Sequence, residues 1–144
     1  MKLQKASRYA LYAVLHLASE PDKQCSTAEI AEEYDISIHH LAKVMRTLVR
    51  SGLIESVRGV GGGYRFAGNI RRSTLWDVIH EFESLDSEND TPQNLSATAE
   101  IVISGLDSVN SEMDGLIRST LDSITLNTLL KYGVENMERD SDPR

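Results

Sequence analysis

The sequence predicts a mostly α-helical fold with one small β-hairpin and a long helix in its second half. Three patterns in the 144 residues indicate this fold. Apolar residues recur at helical spacing in several segments of the first half. A glycine-rich run, SVRGVGGGYRFA over residues 56–67, lies between two strand-like segments. A strict heptad pattern of apolar residues follows in the second half.

Composition narrows the class of protein. The hydrophobic fraction of 40% is enough for a small core. No apolar run approaches the roughly 18 residues of a membrane span, and the N-terminal residues lack the apolar segment of a signal peptide. Cys25 is the single cysteine, which excludes an internal disulfide. We therefore expect a cytoplasmic protein with no membrane partner.

The charge is distributed unevenly along the chain. Residues 1–72 hold 11 Lys and Arg against 7 Asp and Glu, a net charge of +4. Residues 73–144 hold 4 against 15, a net charge of −11. A basic half can bind a polyanion while an acidic half faces away, so the overall charge of −7 is compatible with nucleic-acid binding. Ordinary solvated surface is the other interpretation of this asymmetry.

Two helices are predicted before residue 35. Residues 5–18 carry apolar side chains at helical spacing, and a turn over residues 20–24 ends this helix. Ser26 and Glu29 stand at the spacing of a capping box, which predicts a short second helix over residues 27–34. We expect its Ile30 and Ala31 to face the core.

The third helix is expected to run from its N-cap, Ser37, to about Ser51, and Gly52 is a suitable stop. Four apolar residues at i, i+3, i+4 and i+7 should face the core: Leu41, Val44, Met45 and Leu48. A second face carries basic and imidazole side chains: His39, Lys43, Arg46 and Arg50.

Two strands, over residues 53–57 and 64–67, are predicted to flank the glycine-rich run. Helix, short helix, positive helix and hairpin follow one another in the order typical of a winged helix-turn-helix, so the glycines indicate the tip of a β-wing. In such folds the helix after the turn enters the major groove of DNA. A phosphate-binding P-loop is disfavoured because no Lys-Ser/Thr pair follows and no helix opens there.

Six polar residues are candidates for DNA contact. Ser37 and His39 lie at the N-terminal end of the third helix, where a recognition helix meets base edges. Lys43 and Arg46 lie further along it and can reach bases or phosphates. Two arginines, Arg58 and Arg65, flank the glycines, and a guanidinium suits phosphate oxygens or a narrow minor groove.

The second half is predicted to begin with a fourth helix over residues 74–83, followed by an acidic, exposed loop over residues 84–94. Residues 95–134 should then form a long helix and a short last helix capped by Thr125, and residues 135–144 a disordered tail. The domain boundaries are accordingly placed after residues 83, 94 and 134. The long helix carries a heptad seam: Leu95, Ala99, Val102, Leu106, Val109, Met113, Leu116 and Thr120.

The heptad seam has two interpretations. It could pack against its own domain, or it could pair with a second copy of the chain. We favour pairing, because the winged domain already has helices that close its core. The residues expected at the centre of the dimer are Val102, Leu106, Val109, Met113 and Leu116.

Catalytic and metal-binding patterns have little support in the sequence. Local spacing suggests no Ser/His/Asp or Cys/His arrangement, so an enzyme is not expected, and no metal site or cofactor is predicted. Cys25 immediately precedes the second helix, where the helix dipole could lower the pKa of its thiol. A redox-sensing thiol is therefore an alternative to an idle one.

Several motifs of the chain resemble the Rrf2 family of bacterial transcription regulators. The resemblance runs from about residue 1 to 83 and resumes over residues 123–130 (SITLNTLL). It is carried by residues 8–10 (RYA), 28–31 (AEIA), 36–41 (ISIHHL) and 51–64 (SGLIESVRGVGGGY). It implies a homodimer on a pseudo-palindromic operator. By position, Ser37, His39 and Ala42 match the family's base-reading residues, and Arg58 matches its minor-groove arginine.

One departure from the family is informative. Many members hold an iron–sulfur cluster through three cysteines after the fourth helix, but residues 84–98 contain neither cysteine nor histidine. We therefore expect a cluster-free repressor whose signal is a small molecule, a partner protein or the Cys25 thiol. The alternative function is that of a winged-helix interaction module, which binds protein rather than DNA.

Overall fold

The computed structural model describes residues 3–83 and 92–141. The elements are α1 (Lys5–Ser19), α2 (Thr27–Glu33), α3 (Ile38–Ser51), β1 (Ile54–Val57), β2 (Gly63–Phe66), α4 (Leu75–Ile79), α5 (Ala97–Asp122) and α6 (Leu126–Asp140). β1 and β2 pair antiparallel, from Ile54 opposite Phe66 to Val57 opposite Gly63. The predicted mostly helical fold with a two-stranded hairpin and a long C-terminal helix is confirmed.

The core lies between α1, α3 and α4. The four residues of α3 that were predicted to face inward, Leu41, Val44, Met45 and Leu48, are all buried. Ile30 and Ala31 of α2 are buried as well, as predicted. Leu126, at the start of α6, is fully buried in the same cluster. The beginning of α6 therefore belongs to the core of the winged domain.

The caps of α2 and α3 form as the sequence predicts. Both hydrogen bonds of the capping box between Ser26 and Glu29 are present. The Ser37 hydroxyl accepts a hydrogen bond from the His40 amide at 3.4 Å. Gly52 ends α3 in the left-handed conformation, with φ of 81°. These local signals fix where the candidate recognition helix begins and ends.

The fourth helix is shorter than predicted. It ends at Ile79, and the amides of Phe82 and Glu83 both donate to the Ile79 carbonyl as the chain turns. The Glu83 carboxylate then accepts a hydrogen bond from the Gln4 backbone amide at 2.7 Å and another from the buried Ser7 hydroxyl at 2.8 Å. A carboxylate is stabilised at the N-terminal end of a helix, so this contact with α1 favours the turn over a longer α4.

The last helix is longer than predicted. α6 begins at Leu126, with the Thr125 hydroxyl accepting from the Thr128 amide at 3.1 Å as expected, and it continues to Asp140. The prediction of a disordered tail is therefore wrong over residues 135–140. This segment lacks proline and holds good helix formers, and Glu135 precedes Arg139 by one turn, which supports a helix. Residues 142–144 lie outside the described residues.

The predicted acidic loop falls largely outside the described residues. Residues 84–91 are not described, and residues 92–94 are exposed. The long helix α5 follows, with the Ser96 hydroxyl accepting from the Ala99 amide at 3.2 Å as its N-cap. Leu95 precedes the helix, so the helical part of the heptad seam begins at Ala99.

Cys25 lies in an extended bridge beside β2. Its amide donates to the Tyr64 carbonyl at 3.0 Å, and the Tyr64 amide donates back to the Cys25 carbonyl at 2.8 Å. The side chain packs in the core and is 5% exposed. Burial raises the pKa of the Cys25 thiol, and the nearby Glu29 carboxylate raises it further. The expectation of a lowered pKa is therefore wrong, because desolvation by the core dominates at this position.

Substitution of Gly63 is expected to destabilise the fold. A Cβ at this position would lie 2.6 Å from the Cys25 carbonyl oxygen, and backbone atoms yield little. Gly63→Ala should therefore lower the free energy of unfolding by roughly 1–3 kcal/mol, measured by chemical denaturation. Gly133→Ala is the matched control, because a Cβ there meets open space on an exposed helix and should stabilise by about 0.5–1 kcal/mol. Equal stability of the Gly63 variant and the wild type would contradict the close approach.

The Cys25 thiol is expected to react slowly. A raised pKa leaves less thiolate at neutral pH, and burial blocks access to the sulfur. We expect iodoacetamide to alkylate the native chain at pH 7 at least about tenfold more slowly than the chain unfolded in guanidinium. Mass spectrometry of timed samples measures both rates. Equal rates would restore the reactive-thiol hypothesis.

Candidate nucleic-acid interface

The outer face of α3 carries most of the predicted DNA-contacting residues. One side of this helix is buried, and its opposite side faces solvent over its whole length. Exposed residues on that side are Ser37, His39, Lys43, Arg46 and Arg50, with Ala42 half-buried among them. The structure thus brings the residues predicted on this helix together on one surface, which we call the α3 face.

Aromatic rings fix the N-terminal end of α3 against α1. The His40 ring meets the Tyr9 ring edge-on, with centroids 5.2 Å apart. One turn further along α1, Tyr12 stacks on Tyr34 at 5.3 Å, and His16 Nδ1 lies 3.0 Å from the Tyr34 hydroxyl. Burial raises the pKa of Tyr34, and the nearby Glu33 carboxylate raises it further. This cluster holds the first turn of α3, where Ser37 and His39 project.

Sequence reasoning missed a basic side chain near the N-terminal end of α3. Lys5 and Arg8 are exposed in the first turns of α1. The Lys5 ammonium lies 5.9 Å from the centre of the Tyr9 ring, which also contacts the His40 ring. The signal was available in the spacing of Lys5 and Tyr9, four residues apart on one helix face. Their nearness to α3 follows only from the tertiary packing of α1.

The wing tip requires glycine at several positions. Gly59 and Gly61 have φ of 116° and 73°, a region that other residues adopt only with strain. The Gly62 amide donates to the Gly59 carbonyl at 2.9 Å, and a Cβ on Gly62 would lie 2.5 Å from a backbone oxygen. This tight turn leaves Arg58 exposed at the start of the tip.

The two predicted wing arginines differ in their surroundings. Glu55 and Arg65 are opposite one another in the hairpin register, and Arg65 Nε donates to the Glu55 carboxylate. Arg65 remains about half exposed at its side chain. Arg58 takes part in no salt bridge within residues 3–83 and 92–141. Arg58 is therefore the wing cation that is available to an external anion.

The cations of the α3 face are also available. Among the described residues, salt bridges join Lys23 to Glu20, Arg65 to Glu55 and His80 to Glu81. None involves Lys43, Arg46 or Arg50, so no carboxylate in the described part of the chain neutralises them. Charges placed together in this way suit a polyanionic partner.

The residues present do not fit an iron–sulfur cluster of the usual kind. Such clusters are held mainly by thiolates, and the chain has a single cysteine, which is buried beside β2. Across residues 3–83 and 92–141, no three His, Cys, Asp or Glu side chains come close enough to hold a metal ion. In the same residues, every helix is too short or too polar to span a lipid bilayer.

A second candidate surface is the heptad seam of α5. This 26-residue helix has no buried residue in the described chain. The five residues predicted at a dimer interface are between 53% and 64% exposed and share one face: Val102, Leu106, Val109, Met113 and Leu116. An exposed apolar stripe of this length is typical of an interaction surface.

Comparisons with known proteins agree with this architecture. The sequence model of the Rrf2 family, described as an iron-dependent transcriptional regulator, matches residues 3–132. BadM of Rhodopseudomonas palustris, whose name describes an HTH-type transcriptional regulator, is 50% identical over 131 residues, covering 91% of this chain and 82% of BadM. These relatives are regulators of transcription rather than enzymes.

Two solved structures share the fold. IscR of T. potens has a TM-score of 0.72 at 28% identity, with 100% of this chain and 93% of that chain covered. CymR (YrzC), the global cysteine regulator of B. subtilis, has a TM-score of 0.69 at 27% identity, with 92% and 98% covered. Because the family model matches most of the chain and BadM is half identical to it, the chain belongs to the Rrf2 family of transcriptional regulators.

Proposed function

We propose that the chain is a homodimeric, sequence-specific DNA-binding repressor that works without an iron–sulfur cluster. The observation that carries the proposal is the α3 face. Its cations lie on one exposed helix surface and have no carboxylate partner in the described residues. The helix is followed by a glycine wing with an exposed arginine. In winged folds of this order, α3 is the element that enters the major groove.

The residues of the α3 face differ in what they can recognise. At the first turn, Ser37 and His39 offer a hydroxyl and an imidazole to base edges, and the Ala42 methyl suits the methyl group of thymine. Lys43 and Arg46 follow on the same face and suit phosphates or guanine edges. Base readout is therefore assigned to the N-terminal turns of α3.

The wing is assigned to the flanking minor groove. Arg58 would enter the groove, where the negative potential of a narrow A·T-rich stretch favours a guanidinium. Arg65, already bonded to Glu55, would contact a phosphate at the edge of the groove. Its contribution should be the smaller, because forming that contact competes with the Glu55 carboxylate.

Dimerisation through α5 would fix the operator geometry. Pairing of the heptad seam buries a stripe that the single chain leaves in water, and it would present two copies of α3 to one DNA duplex. Two-fold symmetry requires a pseudo-palindromic operator with half-sites about 34–36 Å apart. In this scheme residues 1–83 bind DNA and residues 84–94 connect them to residues 95–134. Within residues 95–134, α5 forms the dimer and the start of α6 packs on the winged domain.

Repression and the cytoplasmic location follow from this mode of binding. A dimer on two adjacent major grooves would block polymerase wherever its operator overlaps a promoter. The single buried cysteine supports a cluster-free regulator, and its raised pKa favours a small molecule or a protein as the signal over oxidation. The competing function is a winged-helix module that binds protein alone.

DNA binding should depend on salt and on Arg58. We expect Arg58→Ala to weaken binding by about 5- to 100-fold, which corresponds to roughly 1–3 kcal/mol, and to lower the salt slope by about one. Fluorescence anisotropy with DNA selected from a random library, titrated with salt, measures both. Arg139→Ala, near the end of α6, is the matched control and should change neither. A wild type that selects no DNA would favour the protein-binding module.

A charge in the heptad seam should separate the dimer. Val109→Glu would bury two unpaired carboxylates near the two-fold axis, at a cost of about 3 kcal/mol or more, so the dissociation constant should rise at least about 100-fold. Sedimentation equilibrium measures it. Ser111→Glu adds the same charge about half a turn away and should leave the dimer intact. Dissociation of both variants, or of neither, would argue against this seam.

A further inference from the structure

The last two turns of α5 contact the first turn of α4 through two side chains. Thr74, the N-cap of α4, donates a hydrogen bond from its hydroxyl to Asp122 Oδ1 at 3.2 Å. The Arg118 guanidinium lies over the Trp76 ring, 5.1 Å from its centre. Arg118 and Asp122 are four residues apart and therefore point to one side of α5. We call Arg118 and Asp122 the α4–α5 clamp.

The partners of the clamp are themselves held in place. The Thr74 hydroxyl also accepts from the Asp77 amide at 3.3 Å, and the Asp77 carboxylate accepts from the Thr74 amide at 2.8 Å. On the indole of Trp76, the His80 ring stacks at 5.5 Å. Both contact points on α4 therefore have further partners within α4, which restrict the positions that Thr74 and Trp76 can take.

Backbone hydrogen bonds hold the corner between α5 and α6 against the chain before α4. The Leu75 amide donates to the Ile124 carbonyl and the Leu126 amide donates to the Ser73 carbonyl, both at 2.9 Å. These bonds hold the position of the corner between α5 and α6. They lie beyond the end of α5 and fix one point of attachment. The direction in which α5 leaves it therefore depends on the contacts within its last two turns, which are the packing of Leu121 against the core and the polar contacts of Arg118 and Asp122.

Small changes in that direction have large effects along α5. Val109, at the middle of the heptad seam, is 13 residues from Asp122, or about 20 Å along a helix that rises about 1.5 Å per residue. A tilt of about 10° would move it by about 3.4 Å, which is about the rise of one base pair. The clamp therefore controls a displacement on the scale that separates one operator spacing from the next.

We infer that Arg118 and Asp122 are positioning residues that set the half-site spacing the dimer accepts on DNA. The inference rests on the proposed function, because it requires a dimer on two half-sites. Neither residue touches DNA. They act by holding the winged domain at a fixed angle to the dimer helix, so that the two copies of α3 meet two major grooves at one separation. Loss of the clamp should broaden the accepted spacing and leave each half-site contact unchanged.

The test compares spacings on a selected operator. DNA is selected from a random library with the wild type, and derivatives are made with one base pair added or removed between the half-sites. Anisotropy gives the affinity of the wild type and of the Arg118→Ala/Asp122→Ala double variant for each. Arg139→Ala/Asp140→Ala removes the same charges from the exposed end of α6 and is the matched control. Asp122→Asn is the conservative variant, because its side-chain oxygen can still accept the hydrogen bond from the Thr74 hydroxyl.

The expected result is a change in discrimination between spacings. The wild type, the control and Asp122→Asn should bind the altered spacings at least about tenfold more weakly than the selected one. The double variant should discriminate less than about threefold, with affinity for a single half-site unchanged within about twofold. Thermal unfolding of each variant is followed by circular dichroism. Should the double variant not fold, Asp122→Ala provides the same comparison.

The outcomes separate the inference from the proposed function. If the double variant loses affinity equally for every spacing, the clamp is merely structural and the inference is overturned. If the wild type binds its operator without preferring a spacing, the inference is overturned while DNA binding stands. If the wild type selects no DNA, the proposed function fails and the inference falls with it.

Discussion

The burial of the apolar side of α3 against α1 and α2 is the interaction on which the candidate interface depends. Each of its four buried side chains contributes roughly 1.5–3 kcal/mol by leaving water. Like charges one turn apart, such as Lys43 with Arg46 and Arg46 with Arg50, cost only about 0.2–0.5 kcal/mol per pair. The core therefore outweighs the repulsion, and the helix can hold several cations together on its outer face without neutralising partners.

In the wing, glycines determine the conformation of the tip, and the two arginines beside it differ in their partners. A tip of this shape needs glycine because the chain takes positive φ at Gly59 and Gly61 and passes close to itself at Gly62. Such a tip buries no apolar side chain and contributes little to stability, which is consistent with a role at a partner's surface. Pairing of Arg65 with Glu55 stabilises the strands below it, whereas Arg58 contributes nothing of that kind. Of the two arginines, Arg65 therefore supports the hairpin, and Arg58 has no such structural role among the described residues.

Local rules account for what could be predicted from sequence. The Ser26 and Ser37 caps, the stop at Gly52 and the amphipathic period of α3 depend on neighbours within a few residues. The features that could not be predicted depend on long-range contacts. Burial of Cys25 requires β2 beside it, and the early end of α4 requires Glu83 to reach α1. In α6 the error had another source, since residues 135–140 are exposed and hold a single apolar residue, so they give no periodic signal.

The heptad seam and the α3 face are both visible in the sequence, but the relation between them is not. A regulator that reads two half-sites has to control the distance between its recognition helices as well as the chemistry of each. That distance depends on the angle at which α5 leaves the winged domain. In this chain the angle is set where Thr74 and Trp76 meet Asp122 and Arg118, more than 40 residues apart in sequence. An effector that acts on these contacts would change DNA affinity without touching the α3 face, since a change of angle at this point would shift the seam relative to α3.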